Sequence, residues 1–217
     1  MHTQRFIIAD DHPLFRAALK STLGHSFGGC LVTEVASIAE LQTLLTSNTN
    51  SDLILLDLHM PDAQGFSGLI HLQAHYSEIP VMVISASETP EVMCRAIDHG
   101  AAGFLPKSSQ ADTINLAINA VISGERWLPE GVNYQAGQDS KEQKMASDIA
   151  SLTPQQFRVA TLLVQGLLNK QIAYELNVTE ATVKAHVTEI FRKLGVHSRT
   201  QAALAFGQLD VSSQPLS

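Results

Sequence analysis

Phe6-Ile7-Ile8-Ala9-Asp10-Asp11 decides how the first half of this 217-residue chain is read: a short apolar run that stops on two adjacent carboxylates. Similar runs recur at Leu31 to Ala36, Leu53 to Leu56 and Val81 to Ile84, with a weaker one at Gly103-Phe104-Leu105. Short apolar blocks of this kind read as buried strands. Helical patterns lie between them. Leu14, Phe15, Ala18, Leu19 and Leu23 share one helical face, and Ser37 with Glu40 and Ser109 with Asp112 have capping-box spacing. Pro90 suits a first helical turn, and Gly100 and Gly124 suit helix ends.

Five strand-then-helix units over residues 1–126 imply a parallel sheet with helices on both faces, an α/β flavodoxin-like (βα)5 fold. Ligands of such sheets bind outside the carboxyl ends of the strands, at the switch point between the first and third. The residues expected there are Asp10 and Asp11, Asp57, Ser85 and Lys107. Each alone has a bland reading: a polar turn, a helix cap, a solvated lysine. Their placement at four separate strand ends points instead to one site. Carboxylates crowded together raise one another's pKa unless a cation neutralises them, and an all-oxygen site with room for a phosphate suits Mg²⁺. Lys107 supplies a point charge for that phosphate, and a carboxylate can attack phosphorus to give an aspartyl phosphate.

The net charge of −7 is unevenly spread. Residues 1–130 carry six Lys/Arg against fourteen Asp/Glu, whereas 151–206 carry six against three. That asymmetry predicts two domains with different partners. Glu130 to Ala150 is polar, without a sustained period, so 127–150 is expected to be a linker. No apolar run approaches the ~20 residues that span a bilayer. Met1 to Arg5 leads directly into the first run without a signal peptide's apolar core, which predicts a cytoplasmic protein with no membrane partner. The two cysteines, Cys30 and Cys94, lack metal-site spacing and are expected to be core thiols.

Residues 151–210 read as four helices, followed by a tail at 211–217. Thr153, Pro154 and Gln156 open the first, which stops at Gly166; Lys170 to Leu176 forms the second; Asn177-Val178 is a turn; and Thr179 caps a third that ends before Gly195. Two short helices across a tight turn make a helix-turn-helix, whose second helix enters the DNA major groove. Val183, Val187, Ile190 and Leu194 form its inward stripe, which leaves Lys184, Ala185 and Thr188 off it. A fourth helix, Arg199 to Leu209, is expected to expose Leu204 and Phe206.

The first half resembles the receiver domain of bacterial two-component response regulators over roughly residues 5–122. The resemblance implies that Asp57 accepts a phosphoryl group from a sensor histidine kinase, and that Asp10, Asp11, Asp57 and the backbone carbonyl of His59 hold Mg²⁺. Met60-Pro61-Asp62 and Gly65 resemble the loop after the acceptor. Ser85 and Phe104 match the hydroxyl and aromatic switch pair, and Lys107 the phosphate-binding lysine, followed here by Ser108 where many receivers have proline. The runs Gly166 to Ala173, Thr182 to Val187, Lys193 to Val196 and Ser198 to Ala202 resemble the LuxR-type DNA-binding domain. A receiver followed by this domain is the arrangement of the NarL/FixJ family of transcriptional response regulators. By that resemblance Lys184, Ala185 and Thr188 face the groove of double-stranded DNA, while Asn169, Lys170 and Thr182 lie near phosphates. His186 is a packing or phosphate-side residue. The fourth helix, with Leu204 and Phe206, pairs two DNA-binding domains, so paired promoter half-sites imply a homodimer on phosphorylation. Gln155-Gln156 stands where Arg-Glu is more usual, and Thr188 where some relatives have lysine.

Three other functions compete. A haloacid-dehalogenase-like phosphatase wants a second Asp two residues after the nucleophile, where this chain has His59. A flavodoxin needs a Ser/Thr/Gly-rich phosphate loop where Asp10-Asp11 stand, and these would repel a phosphate. A ligand-sensing LuxR-type regulator does not account for the acidic site. The reading is a regulator rather than an enzyme, with at most slow self-dephosphorylation.

Overall fold

The apolar runs pair as a parallel sheet in a computed structural model of the chain, which describes residues 3–47, 50–137 and 140–211. The strands are β1 (Arg5–Ala9), β2 (Leu31–Val35), β3 (Leu53–Asp57), β4 (Val81–Ser85) and β5 (Gly103–Pro106), in the order β2-β1-β3-β4-β5. Phe6 lies opposite Leu53, Ile54 opposite Val81, and Val83 opposite Phe104. Parallel neighbours require crossovers, supplied by α1 (Pro13–Ser26), α2 (Ile38–Ser47), α3 (Ser67–His75), α4 (Pro90–Asp98) and α5 (Ala111–Ile122). The chain runs outward from β1 to β2 and then back to β3, which opens the switch point between β1 and β3.

Side chains alternate across the sheet. Phe6, Ile8, Leu53, Leu55, Met82 and Ile84 share one face with Leu19 and Leu23 of α1 and Ile118 and Val121 of α5. On the other face Ile7, Ile54, Leu56 and Val83 are equally buried. Only β2 departs from this: it is an edge strand, and Leu31 is exposed. Ser37 accepts from the Glu40 N–H as its spacing predicts, and the Glu40 carboxylate accepts from the Ala36 N–H. Ser109 caps nothing, however. The N-cap of α5 is Gln110, without a side-chain bond, because the Ser109 N–H closes a turn onto the Pro106 carbonyl. Cys30 and Cys94 are half-buried rather than core thiols.

Contacts divide the described chain into two units: 3–61 with 76–137, and 62–75 with 140–211. The second holds α3 together with α6 (Ser140–Ala150), α7 (Pro154–Val164), α8 (Asn169–Glu175), α9 (Glu180–Leu194) and α10 (Arg199–Gly207). Its helices start as the spacing predicts. Thr153 and Gln156 complete a reciprocal capping box, while Thr179 and Ser198 accept from the third N–H of their helices. Asn177, in the turn between α8 and α9, has φ 52°, a conformation asparagine tolerates better than most residues.

Helix α6 occupies the end of the stretch expected to lack a period. Its one-turn pair Met145 and Ile149 is buried, and Lys144 and Asp148 pair at 2.8 Å on the same spacing. Two apolar anchors are too few to stand out in the sequence, and α6 gains its burial by packing on α3, which is distant in the chain. Within this unit His71 of α3 stacks on Phe157 of α7 at 4.2 Å and 9°. The ring is fully buried, and neither of its nitrogens has a hydrogen-bond partner among the described residues. Burial, with His75 beside it, pushes its pKa down to about 3. At Gly65, where φ is 49°, a Cβ would stand 1.9 Å from the Leu209 carbonyl oxygen, so only glycine fits.

Candidate phosphoacceptor site and nucleic-acid interface

Asp10 follows β1 and Asp57 ends β3, so the switch point carries both. Their side chains are almost wholly buried. Lys107, just past β5, bridges them: its Nζ is 2.7 Å from Asp10 Oδ2 and 2.8 Å from Asp57 Oδ2. Burial pulls the lysine pKa down, but the bonds to Asp10 and Asp57 and their charges outweigh it and leave the ammonium raised above its ordinary value. The second Asp57 oxygen, Oδ1, accepts from the His59 N–H at 3.1 Å. Ser85 is fully buried at the end of β4, with its carbonyl accepting from the Lys107 N–H at 2.8 Å. The predicted set Asp10, Asp11, Asp57, Ser85 and Lys107 is thus gathered along one edge of the sheet.

Phe104 is fully buried in β5, and its backbone N–H donates to the Trp127 carbonyl at 3.0 Å. Trp127 in turn donates its N–H to the Ala102 carbonyl and bridges to Gly103, so the chain after α5 runs parallel to the strand that carries Phe104.

Two residues here escaped the sequence reading. Arg16 donates from Nη1 to the Asp10 carbonyl at 2.5 Å, one turn into α1. His12 turns its imidazole toward the carboxylates, with Nδ1 2.7 Å from Asp11 Oδ1 and 3.1 Å from Asp10 Oδ1. The only signal for His12 was its position immediately after Asp10-Asp11.

Asp10, Asp11, His12 and Asp57 each offer one ligand atom, and these four atoms lie within 4.8 Å of one another. Asp11 Oδ1 is buried and, apart from the 2.7 Å approach of His12 Nδ1, accepts no hydrogen bond among the described residues. Buried, closely spaced oxygen donors with one left under-satisfied fit a divalent cation.

In the helical unit the inward stripe of α9 is confirmed at Val183, Ile190 and Leu194, which are buried, with Val187 half-buried. Thr182, Lys184, Ala185 and Thr188 are exposed, and Lys184 pairs loosely with Glu180 at 3.1 Å. Lys170 is exposed at the start of α8, whereas the half-buried Asn169 side chain is held by Arg199, which also donates to the Leu167 carbonyl. His186 is half-buried. Gln156 has a polar partner on α9: Lys193 Nζ donates to its Oε1 at 2.8 Å. Leu204 is 69% exposed on α10, but Phe206 is not. Phe206 is 1% exposed and belongs to the core, because it lies one turn after Ala202 and beside Ala205 on the buried face of α10.

The family "Response regulator receiver domain" matches residues 6–119, and the family "Bacterial regulatory proteins, luxR family" matches 150–206. The chain is a LuxR-type response regulator. It is 39% identical to the Glycerol metabolism activator of Pseudomonas putida, over 96% of this chain and 97% of that one. It is 32% identical to the Nitrate/nitrite response regulator protein NarL of Escherichia coli K12, over 91% and 92% of the two chains. Its fold is that of RcsB from Salmonella enterica serovar Typhimurium, with a TM-score of 0.56 at 22% identity over 95% of this chain and 100% of that one. As a response regulator it is a transcription regulator with a DNA-binding domain, not an enzyme. Among the described residues no helix is long and apolar enough to cross a membrane.

Proposed function

We propose that this response regulator is switched by phosphoryl transfer from a sensor histidine kinase to Asp57, and that the switched form binds promoter half-sites as a two-fold dimer through α9. The observation that carries the reading is the buried Asp57 carboxylate, held at 2.8 Å by Lys107 and beside Asp10 at the switch point.

Asp10, Asp11, Asp57 and the carbonyl of His59 are the residues to hold Mg²⁺, which when bound supplies positive charge against the repulsion between carboxylate and phosphoryl oxygens. One Asp57 oxygen attacks phosphorus of a phosphohistidine; the new O–P bond forms as the N–P bond breaks, and the imidazole leaves. Lys107 meets the charge of the transferred group, and slow hydrolysis of the acyl phosphate resets the protein. Ser85 and Phe104 respond as a switch pair, and the chain over 127–150 links receiver to DNA-binding domain. On α9, Lys184, Ala185 and Thr188 read bases, with Lys170, Thr182 and the Asn169 region at phosphates. Leu204 is the exposed apolar contact for pairing α10 helices. RcsB has been solved bound to a promoter in the presence of the phosphomimetic BeF3−, which supports promoter binding by a phosphorylated form here. A DNA partner supports a cytoplasmic location.

The test is mass spectrometry after incubation with Mg²⁺ and a small acyl-phosphate donor, followed by selection of bound DNA fragments. A base-labile phosphoryl adduct on Asp57, with tighter DNA binding, is expected. An adduct elsewhere, or DNA binding indifferent to it, overturns the reading.

A further inference from the structure

We propose that His12 is a nitrogen donor in the cation site and tilts it toward a transition-metal divalent ion such as Mn²⁺, relative to Mg²⁺. The inference rests on reading the acidic pocket as the cation-dependent phosphoacceptor site, and goes beyond it in assigning a ligand that is not a carboxylate or carbonyl.

His12 is the N-cap residue of α1, yet its side chain caps nothing. Pro13 follows it, which confines His12 to extended backbone, here φ −89° and ψ 104°. Its own N–H donates to Asp10 Oδ1 at 2.8 Å. These two constraints set the imidazole over the carboxylates, with Nδ1 2.7 Å from Asp11 Oδ1, 3.1 Å from Asp10 Oδ1 and 3.8 Å from Asp57 Oδ2. Opposite ligands of a shared ion stand about 4.2 Å apart. The 4.8 Å spread of the four donor atoms closes to that with a small shift. The side chain is 62% exposed, so a ring binding through Nδ1 keeps Nε2–H available to water.

The donor chemistry decides the selectivity. Mg²⁺ favours oxygen ligands, whereas imidazole nitrogen suits transition ions, whose affinity for mixed nitrogen and oxygen sites rises from Mn²⁺ onward. Removing the imidazole should therefore weaken Mn²⁺ more than Mg²⁺.

Free Mn²⁺ in solutions of the full-length protein is counted by electron paramagnetic resonance, and Mg²⁺ affinity follows from competition. Bound Mn²⁺ is then examined for spin-echo modulation by a directly coordinated ¹⁴N. His12→Ala is expected to weaken Mn²⁺ about tenfold while Mg²⁺ changes by less than about twofold, and to abolish the nitrogen modulation. His12→Gln should behave alike, and circular dichroism checks that both variants fold. Asp11→Asn should lose both ions. If Asp11→Asn retains them, the cation site itself is misplaced. If Asp11→Asn behaves as expected but His12→Ala keeps the Mn²⁺-to-Mg²⁺ ratio, weakens both ions equally, or keeps the nitrogen signal, the imidazole is not a ligand.

Discussion

The two ends of this response regulator keep their charge in opposite places. In the receiver the candidate carboxylates of Asp10 and Asp57 are buried where parallel strands end, and a partly buried lysine answers them. In the DNA-binding domain the candidate contacts Lys170, Thr182, Lys184, Ala185 and Thr188 all lie outside, on helices whose inner faces are wholly apolar. A buried site constrains the fold that makes it, so its residues are costly to change; an exposed one can be altered while the helix beneath stays as it is.

The contrast breaks most sharply at Asp57. Asp57→Asn should fold but take up no phosphoryl group, because an amide is a poor nucleophile, and intact mass after treatment with a donor reads this directly. A labelled variant would mean that the buried charge is not the acceptor. Lys107→Ala comes next: it leaves two buried carboxylates unpaired and should cost about 3 kcal/mol of stability in chelator, by denaturant unfolding. Added Mg²⁺ should restore part of that loss, while DNA binding stays unresponsive to phosphoryl donor.

On the exposed side, Lys184→Ala should change stability by less than about 0.5 kcal/mol. Specific DNA binding should nevertheless weaken by about 1–3 kcal/mol with little change on random DNA. Equal losses on both DNAs, with a salt slope lower by about 1, would make Lys184 a phosphate clamp instead. Smaller still, between pH 7.5 and 5.5, is a pH effect that sharpens the comparison, because it comes from a buried group in the helical unit. His71 is held near pKa 3, below the ordinary 6.5, so the unfolded chain takes up a proton that the folded one refuses. Its stability contribution is complete above pH 6.5 and is lost as pH falls through the window below it, by up to about 1.4 kcal/mol per pH unit. His71→Leu should flatten that part of the acid slope in denaturant titrations at pH 7.5, 6.5 and 5.5.

The strands and the receiver site were legible because both rest on local text: apolar runs end on Asp10, Asp57, Ser85 and Lys107. The helix starts at Thr153, Thr179 and Ser198 were equally local. What escaped depends on partners far along the chain. Helix α6 is fixed by burial of Met145 and Ile149 against α3, Phe206 by the core into which α10 turns it, and His71 by the stack on Phe157. His12 was hidden for another reason: its backbone neighbours were read, but nothing in the string says that an N-cap side chain will turn away from its helix.

The pairing of Trp127 with β5 gives the molecule its own optical gauge. It is the chain's only tryptophan, its indole Nε1 is buried without a hydrogen-bond partner among the described residues, and its peptide carbonyl holds the N–H of Phe104. Indole emission depends on the polarity and hydrogen bonding around the ring, so a movement of the Phe104 strand that changes those surroundings changes its colour or intensity. The proposed switching of the receiver can therefore be tested in real time in the unlabelled protein, with no DNA present and no dye attached.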